Sequence, residues 1–235
     1  MLSQLIKELQ QIADPERAKN LSRFFKTGKG EYGEGDKFLG ITVPTLREIS
    51  KKYRSLDLKE LQKLLDSKIH EHRMFALMIL KFKYEKALRL TLFAQCKLIV
   101  DFYLKNTKRI NNWDLVDLSC HYILGNYLLD RDRNILYKLA RSTNLWERRI
   151  AIISTFEFIR NNQCIDTLKI SKILLNDKHD LIHKAVGWAL REIGKKDKKT
   201  ETDFLNKYYK AMPRTMLRYA IEKFSDSERK FYLAK

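Results

Sequence analysis

The sequence predicts an all-α protein, an α-solenoid of stacked helix pairs, and three observations carry the prediction. Apolar residues recur at i, i+3 and i+4 along most of the 235 residues, and few segments alternate with period two. Eight Gly and three Pro are too few to punctuate the many short strands of a sandwich or barrel. A helical pattern also returns along the chain, in EHRMFALMILKFK (71–83), WERRIAIISTFEFIR (146–160) and DLIHKAVGWALREIG (180–194). Each copy opens on charged or bulky residues and continues as an apolar stripe around Ala76, Ala151 or Ala185. Ala151 and Ala185 are 34 residues apart, and Trp113 and Trp146 are 33 apart. Periods of that size made of helix pairs let each pair bury its apolar side on its neighbours.

The copies resemble one another weakly, as HEAT-type repeats do, and an irregular helical bundle is the alternative. In chain order, a first helix covers about 2–13. Asp14-Pro15 then supplies an N-cap and a proline at the first helical position, opening a helix to about residue 26. Val43-Pro44 starts a helix over 45–53, and Pro213 starts one over 214–224. Further helices are expected at 57–66, 70–84, 86–104, 113–129, 132–141, 146–161, 166–175, 179–194 and 202–210, as one repeat domain over 1–235. Five of the eight glycines fall in GKGEYGEGDKFLG (28–40), which is read as a flexible loop. Its Gly28-Lys29-Gly30-Glu31-Tyr32-Gly33 spells G-x-G-x-x-G, but no strand precedes it and no βαβ unit surrounds it, so it fails as a dinucleotide fingerprint.

The chain carries 47 Lys and Arg against 29 Asp and Glu, a net charge of +18, with 44% hydrophobic residues. That apolar share excludes a disordered basic tail. The charge exceeds the magnitude of about 2–8 that solubility asks of a small domain, so it implies an anionic partner, nucleic acid before a membrane surface. Residues 1–130 hold 23 basic against 16 acidic side chains, and 131–235 hold 24 against 13, so the excess is spread along the array. A solenoid would present it as a concave basic groove suited to duplex nucleic acid. Arg148-Arg149, Lys184, Lys195-Lys196 and, in the glycine loop, Lys29 are the candidate phosphate contacts. The N-terminal segment is interrupted by charge, unlike a signal peptide. The longest apolar run, 74–80, is seven residues against the roughly 20 of a membrane helix. The three separated cysteines, Cys96, Cys120 and Cys164, suit neither a disulfide framework nor a zinc knuckle, and the expected location is the cytoplasm.

Trp113 and Asp117 in NNWDLVDLS are four apart, hence one turn apart on one helical face. Two readings stand: a carboxylate beside an indole that does chemistry, or Trp113 in the core with Asp114 or Asp117 favouring the helix dipole. Arg149 opens the corresponding helix one repeat later and Trp188 lies on the helix after that, so in a solenoid all four can face one groove. His70 and His72 face different ways and are poor co-ligands, and His121, His179 and His183 are isolated, so packing or surface roles are expected for all five.

These segments, with FLGITVPTLREISKKY (38–53), NNWDLVDLSCHYILGNYL (111–128), LWERRIAI (145–152) and AVGWALREIGK (185–195), make nearly the whole chain resemble the AlkD-like DNA alkylation repair glycosylases, built of HEAT-like repeats. The resemblance implies that Asp117 is the catalytic carboxylate, that Trp113 and Trp188 flank the lesion, and that Arg149 holds the backbone. It implies a monomer acting on duplex DNA that carries alkylated bases, with no metal, no cofactor and no membrane. The implied reaction is excision of N3- or N7-alkylpurines, whose positive charge makes the base a good leaving group. A carboxylate then stabilises the oxocarbenium-like sugar and indole faces attract cationic centres by roughly 0.5–2 kcal/mol. The chain departs from better-known members in carrying Asn112 for an aromatic, Phe24 for a tyrosine, and a longer glycine loop. A non-catalytic binder of damaged or branched DNA and a protein scaffold are the other two readings.

Overall fold

Each proline stands at a helix start in the computed structural model, which describes residues 1–234. The described residues form two compact units, Met1–Ser119 and the residues from Cys120 on. Both units are basic, with 23 Lys and Arg against 15 Asp and Glu in the first and 24 against 14 in the second.

The first unit contains α1 (Leu2–Gln11), α2 (Pro15–Phe24), α3 (Val43–Lys52), α4 (Leu58–Leu65), α5 (His70–Arg89), α6 (Phe93–Lys105) and α7 (Trp113–Asp117). Local chemistry sets the starts. The Asp14 carboxylate accepts the Arg17 amide at 2.9 Å ahead of Pro15, and Asp57 and Glu60 form a reciprocal capping box on α4. Such caps contribute about 1 kcal/mol each. The centre of the unit is α5, whose residues 74–80 are buried on all sides, against α3, α4 and α6. One helix therefore runs over 70–89 where a break is expected after residue 84. The turn comes at Thr91, whose φ of 55° ends the helix in the left-handed region.

The second unit contains a π-helical turn (His121–Gly125), α8 (Asn134–Ala140), α9 (Leu145–Ser154), α10 (Phe156–Arg160), α11 (Ile165–Ile173), α12 (Asp180–Gly194), α13 (Lys198–Tyr208), α14 (Arg214–Ala220) and α15 (Asp226–Leu233). Its central helix is α12, packed on α9, α13 and α14. Gly187 makes the last contact possible, because a Cβ there would sit 2.4 Å from the Met216 carbonyl and 2.5 Å from Tyr219 Cβ. The ring of His179 caps α12, its Nδ1 accepting the Leu181 amide at 3.1 Å. Burial holds this imidazole below its ordinary pKa and so keeps the accepting form.

Two expected helices are broken by hydroxyls. The helix read over 113–129 stops after Asp117, where Ser119 Oγ donates back to the Leu115 carbonyl at 2.6 Å and also meets the Tyr103 hydroxyl at 3.0 Å. The helix read over 146–161 divides at Thr155, which donates to the Ile152 carbonyl at 2.7 Å. Side chains that bond back to the preceding turn bend or interrupt a helix. The helix expected over 202–210 starts earlier, capped by Asp197, and α15, with its own capping box at Ser225 and Glu228, lies where the sequence predicts no helix. Ala76, Ala151 and Ala185 are all buried, as the repeated pattern requires. No strand occurs among the described residues, and no described helix is long and apolar enough to cross a membrane.

Candidate active site and nucleic-acid contacts

The glycine-rich segment, read as flexible, is tied down. Its first part folds on itself, with the Gly28 and Gly30 amides donating to Glu31 and Glu34, each at 2.8 Å. Its end is fastened to the start of α5. Lys37 pairs with Ile69 in an isolated parallel bridge, and the buried Glu71 carboxylate accepts the amides of Leu39, Gly40 and Ile41 at 2.9, 2.8 and 3.3 Å. Gly40 has φ of 82°, and a Cβ there would lie 2.1 Å from the Asp14 carbonyl, so only glycine fits this anchored corner.

The start of α5 also meets α7. Asn112 is fully buried and its Oδ1 accepts the Trp113 amide at 2.8 Å, starting the helix. Trp113 and Asp117, both half-buried, sit one turn apart on α7 as predicted. The indole stacks on Phe25 (centroids 5.3 Å apart, planes at 27°), and Phe25 stacks on Phe38 (5.2 Å, 13°). Phe38 in turn lies on the His70 ring (4.6 Å, 26°). Phe24 meets the indole edge-on at 6.0 Å and leaves 63% of its surface exposed. Trp113 is thus neither a plain core residue nor a loose surface one: a rigid aromatic pile supports it.

Beneath the pile lies a charge network drawn from the glycine-rich loop, α5 and the start of α7. His70 Nδ1 faces Asp36 at 3.2 Å and Nε2 faces Asp114 at 2.8 Å. Arg73 Nη2 lies 2.7 Å from Asp36, and the Asn111 amide donates to the same carboxylate at 3.2 Å. Burial alone would raise the Asp36 carboxyl, but the His70 bond and the Arg73 charge outweigh it and hold it below the usual range. For His70 burial pulls downward, and the bonds to Asp114 and Asp36 overcome it, pushing the imidazole up to about 9. The expectation of a packing or surface role for His70 therefore misses a buried, charged junction. The signal lay in a histidine and an arginine three apart at the start of an apolar helix.

In the second unit the candidates separate by what already holds them. Arg149 is 5% exposed and its Nη1 donates to the Leu181 carbonyl at 2.6 Å. Arg148 grips Asp177 through Nε at 2.6 Å and caps the Ser142 and Thr143 carbonyls. Trp188 is half-buried, edge-on to Phe156 (4.6 Å, 81°), and donates through Nε1 to Glu192 at 3.1 Å. Lys195 meets the same Glu192 oxygen at 2.7 Å, so Glu192 joins two of the candidates. Lys184 pairs with Asp180 at 2.8 Å, and Lys196 donates to the Arg160 carbonyl at 2.6 Å. Lys29 is exposed on the glycine loop. Exposed pairs such as Lys184 with Asp180 contribute about 0–1 kcal/mol and exchange readily for a phosphate.

The sequence matches the family described as DNA alkylation repair enzyme over residues 5–224. Three solved structures share the fold at low identity. A predicted DNA alkylation repair enzyme from Enterococcus faecalis is 15% identical, with a TM-score of 0.66 over 91% of this chain and 97% of that one. AlkD2 from Streptococcus mutans is 18% identical, with 0.57 over 90% and 99%. The protein smu.31 from Streptococcus mutans UA159 is 18% identical, with 0.55 over 89% and 100%. No curated protein matches the sequence. The repeat-helical fold is therefore that of AlkD-type proteins, and the chain belongs to the DNA alkylation repair enzyme family.

Proposed function

We propose that the chain is a monofunctional DNA glycosylase that releases positively charged N3- and N7-alkylated purines from duplex DNA. The observation that carries this reading is the Asp117 carboxylate set one turn from the braced indole of Trp113 on α7. Alkylation leaves the purine cationic, so the base departs with the C1′–N bonding pair and becomes neutral. The sugar becomes oxocarbenium-like, and a carboxylate at C1′ stabilises that charge and orients the attacking water. Water forms the new C1′–O bond and gives up its proton, leaving an abasic site. Trp113 and Trp188 offer indole faces to cationic centres. Arg149, anchored through Nη1 on the Leu181 carbonyl, serves the phosphate backbone with Arg148, Lys184, Lys195, Lys196 and Lys29.

A second reading, a non-catalytic binder of damaged DNA, is favoured by one feature: Phe24 stands exposed beside Trp113 and has no hydroxyl to offer a substrate. One assay separates the two. Methylated duplex is incubated with protein and free base is measured. Release that falls about 10²- to 10³-fold in Asp117→Asn, the usual effect of removing a transition-state stabiliser, supports the glycosylase. Salt-dependent binding with no release supports the binder.

A further inference from the structure

We propose that His70 is a positioning residue for the site at Trp113 and Asp117, its ring fastening α7 to the 36–41 segment through Asp114 on one nitrogen and Asp36 on the other. This deepens the glycosylase reading and rests on it for its catalytic consequence, though not for the junction itself.

The need for such a residue comes from α7. It has five residues, a single turn, and one turn fixes several dihedrals for almost no hydrogen-bonding return, so it does not persist alone. Its orientation is imposed from outside. Asn112 supplies one anchor at the N-cap. The second is Asp114, next in sequence to Trp113 and on the same turn as Asp117, which spends one oxygen on the Leu115 amide at 2.8 Å and the other on His70.

The ring is fixed in every direction. Its two nitrogens lie against carboxylates from different segments, and its face lies on Phe38, with Phe25 at 5.2 Å. A neutral imidazole has one N–H and one lone pair, so it satisfies only one of two ionised carboxylates. Both bonds require the doubly protonated ring. The charged groups facing His70 are Asp36 from the loop, Asp114 from α7 and Arg73 from its own helix; Phe25 and Phe38 bring no charge. Two cations and two anions are in direct contact while the ring is protonated, with the buried Glu71 carboxylate also acting on Arg73, so loss of the ring proton adds net negative charge in a buried place. The elevated imidazole pKa of about 9 agrees with the geometry.

Two substitutions divide the ring's work. Gln reaches with its amide to where Nε2 stood and keeps a donor for Asp114; Asn reaches only to the Nδ1 side and keeps one for Asp36. If His70 positions α7, base release follows the Asp114 bond. His70→Gln stays within about 5-fold of wild type, while His70→Asn loses about 10- to 100-fold in kcat with KM for duplex little changed, the scale expected of a misplaced reacting group. Equal losses in two equally stable variants overturn the assignment.

Two readouts do not depend on the chemistry. In nitrogen-15 spectra of histidine-labelled wild type, one imidazole keeps both ring N–H signals above pH 8; an ordinary neutral ring at pH 7.5 overturns the junction. In the Trp146→Phe/Trp188→Phe background only Trp113 remains. Its emission changes with a midpoint near pH 9 when His70 is present and loses that transition in His70→Asn. An emission unmoved by pH and by both substitutions also overturns the proposal. If wild type releases no base while these signals are found, the glycosylase reading fails and the junction stands.

Discussion

Asp36 and Asp114 hold the His70 ring from opposite nitrogens, at 3.2 and 2.8 Å, and so join the glycine-rich segment to the turn that carries Trp113 and Asp117. The charge state of that ring makes stability pH-dependent. Its pKa rises from an ordinary 6.5 to about 9 on folding, so its contribution is full below about 6.5, declines as pH rises from there, and is gone above about 9. Asp36, held low, acts in the other direction and loses its contribution only in acid. Urea unfolding of wild type is expected to give a lower unfolding free energy at pH 9.5 than at pH 6.5, with His70 contributing up to roughly 3 kcal/mol of the difference. In His70→Gln the difference shrinks.

A second titration belongs to Glu201 in the other unit. Its carboxyl is buried, with Oε1 unpartnered, and burial pushes it up to about 8 against the attraction of Lys198 and Arg191. The unfolded chain ionises this group near 4.5, so folding loses ground as pH rises from 4.5 to 8. Glu201→Gln removes the ionisable proton at nearly constant shape. Its Tm is expected to exceed that of wild type at pH 8 and to match it at pH 4.5.

Gly187 sets how closely α12 and α14 approach, directly beside Trp188. In Gly187→Ala the new methyl meets the Met216 carbonyl and the Tyr219 Cβ, neither of which can yield without moving α14. Overpacking of this kind costs about 1–3 kcal/mol. Thermal unfolding should record a lower Tm, and a Tm equal to wild type would show that α14 shifts freely.

Glu192 occupies both the indole N–H of Trp188 and the ammonium of Lys195. Glu192→Gln leaves Lys195 uncompensated, so affinity for duplex DNA should rise and the slope of log K against log salt should steepen by up to about one unit. Lys195→Ala should weaken binding and flatten the slope by a similar amount. Fluorescence anisotropy over a salt series checks both, and identical slopes in the two variants would remove Lys195 from the contact surface.

Local signals in the chain are legible where their cause is local. Pro15, Pro44 and Pro213 mark helix starts because proline's fixed φ and missing N–H suit that position and few others. Ala76, Ala151 and Ala185 are buried because a small residue within an apolar stripe marks a packed face. The breaks at Ser119 and Thr155 are not legible in the sequence because a hydroxyl turns back on its helix only where the surroundings favour it. Glycine density in 28–40 indicated a loop, but its anchorage depends on the Glu71 carboxylate, which lies on another element.

The sequence by itself determined an all-α basic chain of repeated helices, its family, and the pairing of Trp113 with Asp117 on one turn, because helical periodicity and charge are carried by neighbouring residues. Only the tertiary structure decided what braces that turn. Phe25 at the end of α2, Asp36 and Phe38 in the glycine-rich loop, and His70 and Arg73 on α5 come from three separate segments, and each explains the others only once they meet. A buried charge is tolerated only when its partners are in place, and no spacing within one helix records where those partners will be.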